Sequence, residues 1–516
     1  MEMISVEQRR GEAAVLRRIW RLHFWVGLFT APVLLVLACT GLLILYAQPL
    51  ALWLDRDLMT VPPGTTRVSL DDQVATAREH VGADLTLDAV TPTPAPGAST
   101  RVDFVPSDTS DVSERNLIQV FVDPYTGRYL GQRSELSGPV GWANQLHRMF
   151  GNDGPTVSLP SVGHLIAPTS YPDATVAVGV GNLVLELTAV WILVLLASGV
   201  YLWWPRAIEG AKPLLSIRMR GGRIFWRDLH ATTGILLAVV LICYVVSGLS
   251  WSRYWGENWR AVTSTVTPSI GVDAPSTPAK VGDFDRLGRR IAWAATDDPV
   301  YASLPGNPVP ARIGFADVEA IARSEHMVAG YSIVPPIDET VGGKTVFGSY
   351  TVINGWPQKL SEQRTLYLDQ FSGQTIANAT AASDGRLARL TGWGVNMHMG
   401  TQYGLVTRIL ATVACLGLVT SIGTGAIMWW KRRRPGSAGL PGPVSAAIRA
   451  DTPRGAVAAV CVVAGALAIL YPSFGVTLLL VLAAEGVLAV RRRSVTRAET
   501  VDDTAPESAP LTGKYA

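Results

Sequence analysis

Arg21-Leu-His23-Phe-Trp-Val-Gly27 opens an apolar run that reaches Tyr46, and Asp228-Leu-His230-Ala-Thr-Thr-Gly234 opens another that reaches Trp251. Each run is near the length of about 20 residues that crosses a bilayer, and each carries a histidine at one edge with a glycine four residues on. A second histidine is copied as well. Gly141-Trp142 is followed after four residues by His147, and Gly392-Trp393 after four residues by His398, so four of the seven histidines occupy repeated places. In a chain built of apolar spans, paired histidines on facing helices predict axial ligation of haem iron.

Composition agrees with a membrane location. Of 516 residues, 48% are hydrophobic and only 16% charged, which leaves room for polar domains outside the bilayer. The net charge of +3 is too small to imply a nucleic-acid partner, because the basic residues cluster beside the apolar runs. All four cysteines, Cys39, Cys243, Cys415 and Cys461, lie within apolar runs, where a small buried hydrophobe is the default; neither a disulfide framework nor a zinc site is expected. The first run ends in Leu45-Tyr46 rather than a small-residue cleavage site, so it is expected to remain as an anchor.

The runs predict spans at residues 23–47, 181–204, 230–252 and 405–430, followed by a helical hairpin at 456–490. Arg9, Arg10, Arg17, Arg18 and Arg21 precede the first, basic residues fill Arg206 to Arg227, Lys431 to Arg434 follow the fourth, and Arg491 to Arg493 follow the hairpin. The positive-inside rule then puts residues 1–22, 205–229, 431–455 and 491–516 in the cytoplasm. Segments 48–180 and 253–404 lie outside, and the Trp203-Trp204 and Trp429-Trp430 pairs mark the inner interface. The expected location is a bacterial inner membrane, with the bilayer itself as a partner.

Both outer segments contain a strand that runs into a turn. Leu117 to Tyr125 passes into Thr126-Gly127, and Thr365-Leu-Tyr-Leu-Asp369-Gln-Phe-Ser-Gly373 has the same form, with a glycine free to take positive φ. The fold class is therefore a mainly α membrane protein: a four-helix transmembrane core built from two repeats, plus a C-terminal helical hairpin, with an α+β extracytoplasmic domain. Helix ends repeat too, Thr40-Gly41 with Ser247-Gly248 and Gly199 to Trp204 with Gly425 to Trp430. His23 and His230 lie 207 residues apart, His147 and His398 251 apart, and the Trp pairs 226 apart; the last two offsets differ by 25, so 25 residues belong to the first copy alone. They fall between His147 and the second span, contain His164, and read as an irregular outer loop or lid.

His23 and His230 sit at one depth at the cytoplasmic ends of the first and third spans, and are assigned to one haem. His147 and His398 are assigned to a second on the outer side. A glycine one turn from each inner histidine leaves room for a flat ring. With no Cys-x-x-Cys-His in the chain, both groups would be noncovalent haem b. A lone interfacial histidine is more often an anchor than a ligand; duplication is what raises these four. His164 has no repeat partner but could compete with His147, while His80 and His326 carry no such argument. Arg17, Arg18, Arg21 and Arg227 are candidates for haem propionates, although each also satisfies the orientation rule. Glu186 and Arg408, about one turn apart in depth, predict an ion pair that fixes the bundle, with proton handling as the sharper alternative. Met397 and Met399 flank His398 and are read as packing, and Trp251, Trp255 and Trp259 as an interface belt or an aromatic platform.

These residues together resemble the PepSY-associated transmembrane proteins, iron-regulated membrane proteins that include bacterial ferric-siderophore reductases. The resemblance rests on His23-x3-Gly27, Val122-Asp-Pro-Tyr-Thr-Gly127, Leu146-His147-Arg148, Glu186 to Trp204, His230-x3-Gly234, Leu368-Asp-Gln-Phe-Ser-Gly373 and His398-Met-Gly400 with Tyr403-Gly404. It covers roughly residues 15–434. It implies a four-helix core with two b haems and an outer PepSY-like domain, a membrane haem-dependent ferric reductase that passes electrons outward to a ferric chelate. The insertion and the last two helices depart from that pattern. The inner donor, quinol or a reductase, is left open, and no Gly-x-Gly-x-x-Gly follows a strand to supply an internal nicotinamide domain. Pairing with a second copy of the chain is a further expectation. The alternative is a haem-free membrane protein whose outer segments bind peptides or regulate an envelope protease.

Overall fold

The computed structural model describes residues 6–107, 117–148, 150, 155–208, 217–219, 221–284, 291, 293–354, 357, 359–442, 444–483 and 486–487. Four helices are long and apolar enough to cross a membrane: Arg9–Leu45, Val180–Trp204, Gly222–Leu249 and Leu405–Arg432. They belong to helices α1 (Val6–Leu45), α6 (Val180–Ile208), α7 (Gly222–Leu249) and α11 (Leu405–Arg432), whose smaller neighbours are introduced below. α1 starts well before the expected span, because the Arg-rich stretch ahead of His23 continues the same helix. The fifth and sixth apolar runs form shorter helices, α12 (Arg454–Leu470) and Pro472–Ala483, both under the length of about 20 residues that a span needs. The far end of the sixth run, with Glu485, and the tail at 491–516 lie outside the described residues.

Two compact units make up the chain: Met1–Val26 with Arg432–Ala516, and Gly27–Lys431. In the first, the Arg432 guanidinium lies over the Trp20 and Phe24 rings at 4.8 and 4.9 Å. Gly11 is close enough to Pro453 that a Cβ would meet its Cγ at 3.2 Å.

In the second, side chains of α6, α7 and α11 interlock through Leu196, Leu237, Leu241 and Ala414. α1 joins them by close approach: a Cβ at Gly27 would meet Leu195 of α6, one at Gly41 would meet Cys415 of α11, and Tyr46 Oη lies 3.0 Å from Thr412 Oγ1. Outward-facing Leu236, Val239, Val406 and Ile409 stay exposed, as lipid-facing positions should.

The rest of this unit is a separate α+β region. The segment after α1 holds α2 (Ala47–Leu54), α3 (Leu70–Glu79), β1 (Leu85–Thr91), β2 (Thr100–Pro106), β3 (Ile118–Val122), β4 (Tyr129–Ser134) and α4 (Gly138–Arg148). A hairpin of β5 (Thr156–Pro160) and β6 (Thr175–Gly179) then encloses α5 (Val162–Ile166). After α7 come α8 (Arg253–Val266), α9 (Phe315–Ser324), β7 (Ser332–Val334), β8 (Ser349–Asn354), β9 (Arg364–Asp369), β10 (Thr375–Thr380) and α10 (Arg386–His398). Helix α3 or α9 thus precedes four strands in each segment. The strands join into one antiparallel eight-stranded sheet of order β10-β9-β8-β7-β1-β2-β3-β4, stitched at its centre where Val90 of β1 pairs with Ile333 of β7.

Both faces of this sheet are covered, so successive residues bury in opposite directions. Val90, Phe104, Val120, Ile333, Val352, Leu366 and Leu368 pack under α3 and α9. Their neighbours Ala89, Val334, Ile353 and Tyr367 pack on the other side against Val281, Ile291, Val300 and Tyr301. The two copied turns are alike in detail. Asp123 Oδ1 accepts from Tyr125 N at 2.9 Å ahead of Gly127 at φ +69°, and Asp369 Oδ1 accepts from Phe371 N at 3.0 Å ahead of Gly373 at φ +72°. An Asx turn followed by a left-handed glycine reverses the chain in both.

The stretch found only in the first copy departs from expectation. Residues 156–179 are an ordered β5–α5–β6 unit rather than an irregular loop. Asn258 of α8 is 3% exposed, and its Oδ1 accepts the backbone N–H of Val162 at 2.7 Å and of Gly163 at 3.3 Å, which fastens α5 to α8. Val176 and Val178 of β6 pack on Tyr254.

Candidate functional site

His147 is the next-to-last residue of α4 and His398 the last of α10, the two helices that lead from the sheet back to a span. Their rings lie with centroids 6.4 Å apart and planes inclined by 68°. Each is fastened to the end of a different span by atoms that repeat. His398 Nδ1 is 2.8 Å from the Tyr244 carbonyl oxygen and 3.2 Å from Ser247 Oγ. Because a carbonyl only accepts, Nδ1 carries the proton and Nε2 keeps its lone pair. His147 Nδ1 lies 3.0 Å from Thr40 Oγ1, whose own proton goes to the Val36 carbonyl at 2.7 Å, so this Nδ1 donates as well. Leu37 supplies a backbone acceptor for His147 in the place that Tyr244 fills for His398. Leu37 and Thr40 stand 207 residues from Tyr244 and Ser247, the offset that separates His23 from His230.

Glycines on the spans give these imidazoles their space. A Cβ at Gly41 would meet His147 Cε1 at 3.1 Å, and one at Gly248 would meet His398 Cε1 at 2.9 Å. Burial, and then the nearness of His398, hold the His147 pKa down to about 4, and burial lowers that of His398. Both rings are therefore neutral at ordinary pH, the form that binds metal. A metal bonded to one nitrogen of each ring at about 2.0 Å sets the centroids about 6.3 Å apart, close to the separation found. Among the described residues no group of three or more His, Cys, Asp or Glu is placed to hold a metal ion. Two imidazoles alone leave most coordination positions of an iron to be filled by a nonprotein ligand, and a macrocycle fills four in one plane.

His230 is arranged in the same way at the other end of α7. Its Nδ1 donates to the Ser421 carbonyl at 3.0 Å and lies 3.2 Å from Thr424 Oγ1. A Cβ at Gly425 would stand 3.6 Å from His230 Cε1, and one at Gly234, a turn along from the histidine, would meet nothing within 4 Å. His23 lies on α1 within the first unit, as does Arg21.

Other predicted residues are placed as follows. His164, on α5, directs Nδ1 to the Tyr171 carbonyl at 3.1 Å and is not gathered with His147 and His398 into a cluster. His80 stacks on Tyr129 with centroids 4.1 Å apart. Arg227, with Arg218, pairs with buried Asp228: Arg227 Nη2 is 3.1 Å and Arg218 Nε 2.8 Å from the carboxylate. Glu186, 2% exposed, accepts the Tyr254 N–H at 2.7 Å and so caps the first turn of α8. No Glu186–Arg408 ion pair occurs among the described residues. Trp259 Nε1 donates to Thr391 Oγ1 at 2.9 Å, Trp255 stacks on Trp259, and Trp251 lies beneath the Arg148 guanidinium at 5.3 Å. Trp259 thus ties α8 to α10, and Trp251 meets the end of α4.

The residues that sequence reasoning passed over are the acceptors and glycines facing each imidazole: Thr40-Gly41, Ser247-Gly248 and Thr424-Gly425. All three pairs stand within the repeated helix ends. Their role was hidden because the histidine each serves lies 107, 151 or 194 residues away.

Four apolar helices and an antiparallel sheet region define a multi-pass membrane protein with an α+β domain. Residues 20–432 match the family described as the PepSY-associated TM region, and the chain belongs to that family. The match runs from just before His23 to the end of α11 and leaves out the two shorter apolar helices. No curated protein matches the chain.

Proposed function

We propose that this chain is a transmembrane dihaem b-type oxidoreductase that passes electrons outward to reduce an Fe(III) chelate such as a ferric siderophore, for iron release and uptake. The observation that carries it is the His147–His398 pair: neutral imidazoles 6.4 Å apart, each with Nδ1 committed to a span and Nε2 free. The sequence repeat assigns a second haem to His23 and His230. When bound, haem supplies one-electron chemistry, with a potential set by axial ligand, hydrogen bonding and burial. The protein's part is to fix the tautomer and tilt of each ring, which Thr40, Leu37, Tyr244 and Ser247 do. Reduction favours release because hydroxamate and similar oxygen donors suit Fe(III) far better than Fe(II). Arginines at the start of α1 and at Lys431 to Arg434 support cytoplasmic termini and an inner-membrane location, with the sheet region outside.

Purified protein, expressed with ample haem, is expected to show a reduced-minus-oxidised α band equivalent to two haems b per chain. Proteoliposomes with reductant inside should then reduce external ferric chelates. Protein that folds and carries no haem overturns the reading. The open edges of the eight-stranded sheet, at β4 and β10, favour a second reading, in which an extended peptide adds a strand; haem-free protein that binds peptides would support it.

A further inference from the structure

Arg408 lies in the first turns of α11, seven residues before Cys415, so the two share a helix face. That face looks toward the histidine pair: a Cβ at Gly41 would meet both Cys415 Sγ, at 3.7 Å, and His147 Cε1, at 3.1 Å. Arg408 is also beside the chain that leaves His398. Gly400, two residues on, is so near that a Cβ would meet Arg408 Cα at 3.3 Å and its N at 3.6 Å. The arginine thus stands about two turns, roughly 11 Å, along α11 from the level of the His147 ring, against the backbone that follows the other ring.

One nitrogen of its side chain is unsatisfied. Arg408 Nε is shielded from solvent and has no hydrogen-bond partner, and its guanidinium joins no ion pair among the described residues. A guanidinium is a cation, and a charge without a partner within a span is costly, which marks it for function. Glu186, the nearest carboxylate in depth by sequence, is occupied by the α8 N-terminus. The place equivalent to Arg408 in the other copy, by the 226 offset, is Asn182, a neutral residue, so the cation is present on one side only.

We propose that Arg408 binds a propionate carboxylate of the haem held by His147 and His398, an assignment that rests on the dihaem reading. A guanidinium fork matches a carboxylate in two parallel hydrogen bonds, and propionates are the carboxylates that a bound haem would carry at its edge. The pair neutralises both charges, anchors one edge of the haem, and raises the potential of that haem by keeping a cation beside it.

The test uses full-length holoprotein. Arg408→Gln is expected to lower the midpoint of one haem, leave the other unchanged, and speed loss of one haem to apomyoglobin by about tenfold or more, as removal of a charge-assisted bond should; Arg408→Lys should keep most of the wild-type values. Wild-type protein loaded with haem dimethyl ester should lose that haem as fast as Arg408→Gln does while its midpoint moves the opposite way, upward, because the anion is gone and the cation remains; in transfer rate the two changes together should not add. Unchanged midpoints and transfer rate in Arg408→Gln, or full additivity with the ester, overturn the assignment; an anionic lipid headgroup as the true partner gives that result. If Arg408→Gln does not accumulate, Arg408→Lys and the ester arm decide. Failure of the dihaem reading looks different: folded wild-type protein then carries no haem, or His147→Ala and His398→Ala keep as much haem as wild type.

Discussion

His147 and His398, 251 residues apart in sequence, place their rings 6.4 Å apart, each bonded through Nδ1 to a different span. Two helices that descend from one continuous sheet deliver them.

Replacing either member tests the pair. His147→Ala or His398→Ala should each remove one of two haems and spare the other, read by haem content per chain and the reduced-minus-oxidised spectrum. A variant that keeps both would show that the imidazole is not a ligand.

The glycines predict a graded series. Gly248→Ala brings a Cβ within 2.9 Å of His398 Cε1, Gly41→Ala within 3.1 Å of His147 Cε1, and Gly425→Ala only within 3.6 Å of His230 Cε1. Perturbation of the low-spin haem signal should fall in that order, with Gly425→Ala near wild type and Gly248→Ala costing about 1–3 kcal/mol in haem retention, as overpacking does. Equal effects at all three would refute the contact argument.

Asn258→Ala should release the β5–α5–β6 unit. It orphans the Val162 and Gly163 N–H groups, at a cost of about 1–3 kcal/mol. Limited proteolysis is expected to cut within residues 155–179 several-fold faster, with haem content unchanged; a simultaneous loss of haem would show that this unit supports the histidine pair.

Asp298 gives a pH prediction for the sheet region. Burial, then the carboxylates of Asp384 and Asp297, push its pKa up to about 7. A raised carboxyl pKa means that the folded state holds a proton the unfolded chain releases, so stability is fullest below the unfolded value of about 4 and declines as pH rises to about 7. Asp298→Asn removes that loss. Its melting temperature should exceed that of wild type by a margin that grows between pH 4 and 7 and then levels off.

The sequence by itself settled what depends on neighbours in the chain. Apolar length set the four spans, because burying a backbone in lipid needs about 20 residues whatever they contact. Asp123 and Asp369 announced their turns, since an Asx turn closes within four residues. Duplication singled out the four histidines. Tertiary structure decided the rest. That the two strand sets make one sheet depends on Val90 meeting Ile333, an encounter no local pattern encodes. Glu186 looked like half of an ion pair, but the free N–H groups of α8 lie nearer than Arg408 and take its carboxylate. The inserted stretch gained its order in part from Asn258, a residue about a hundred positions downstream. Chain composition fixes which residues must leave water; only packing decides which partner each polar group finds there.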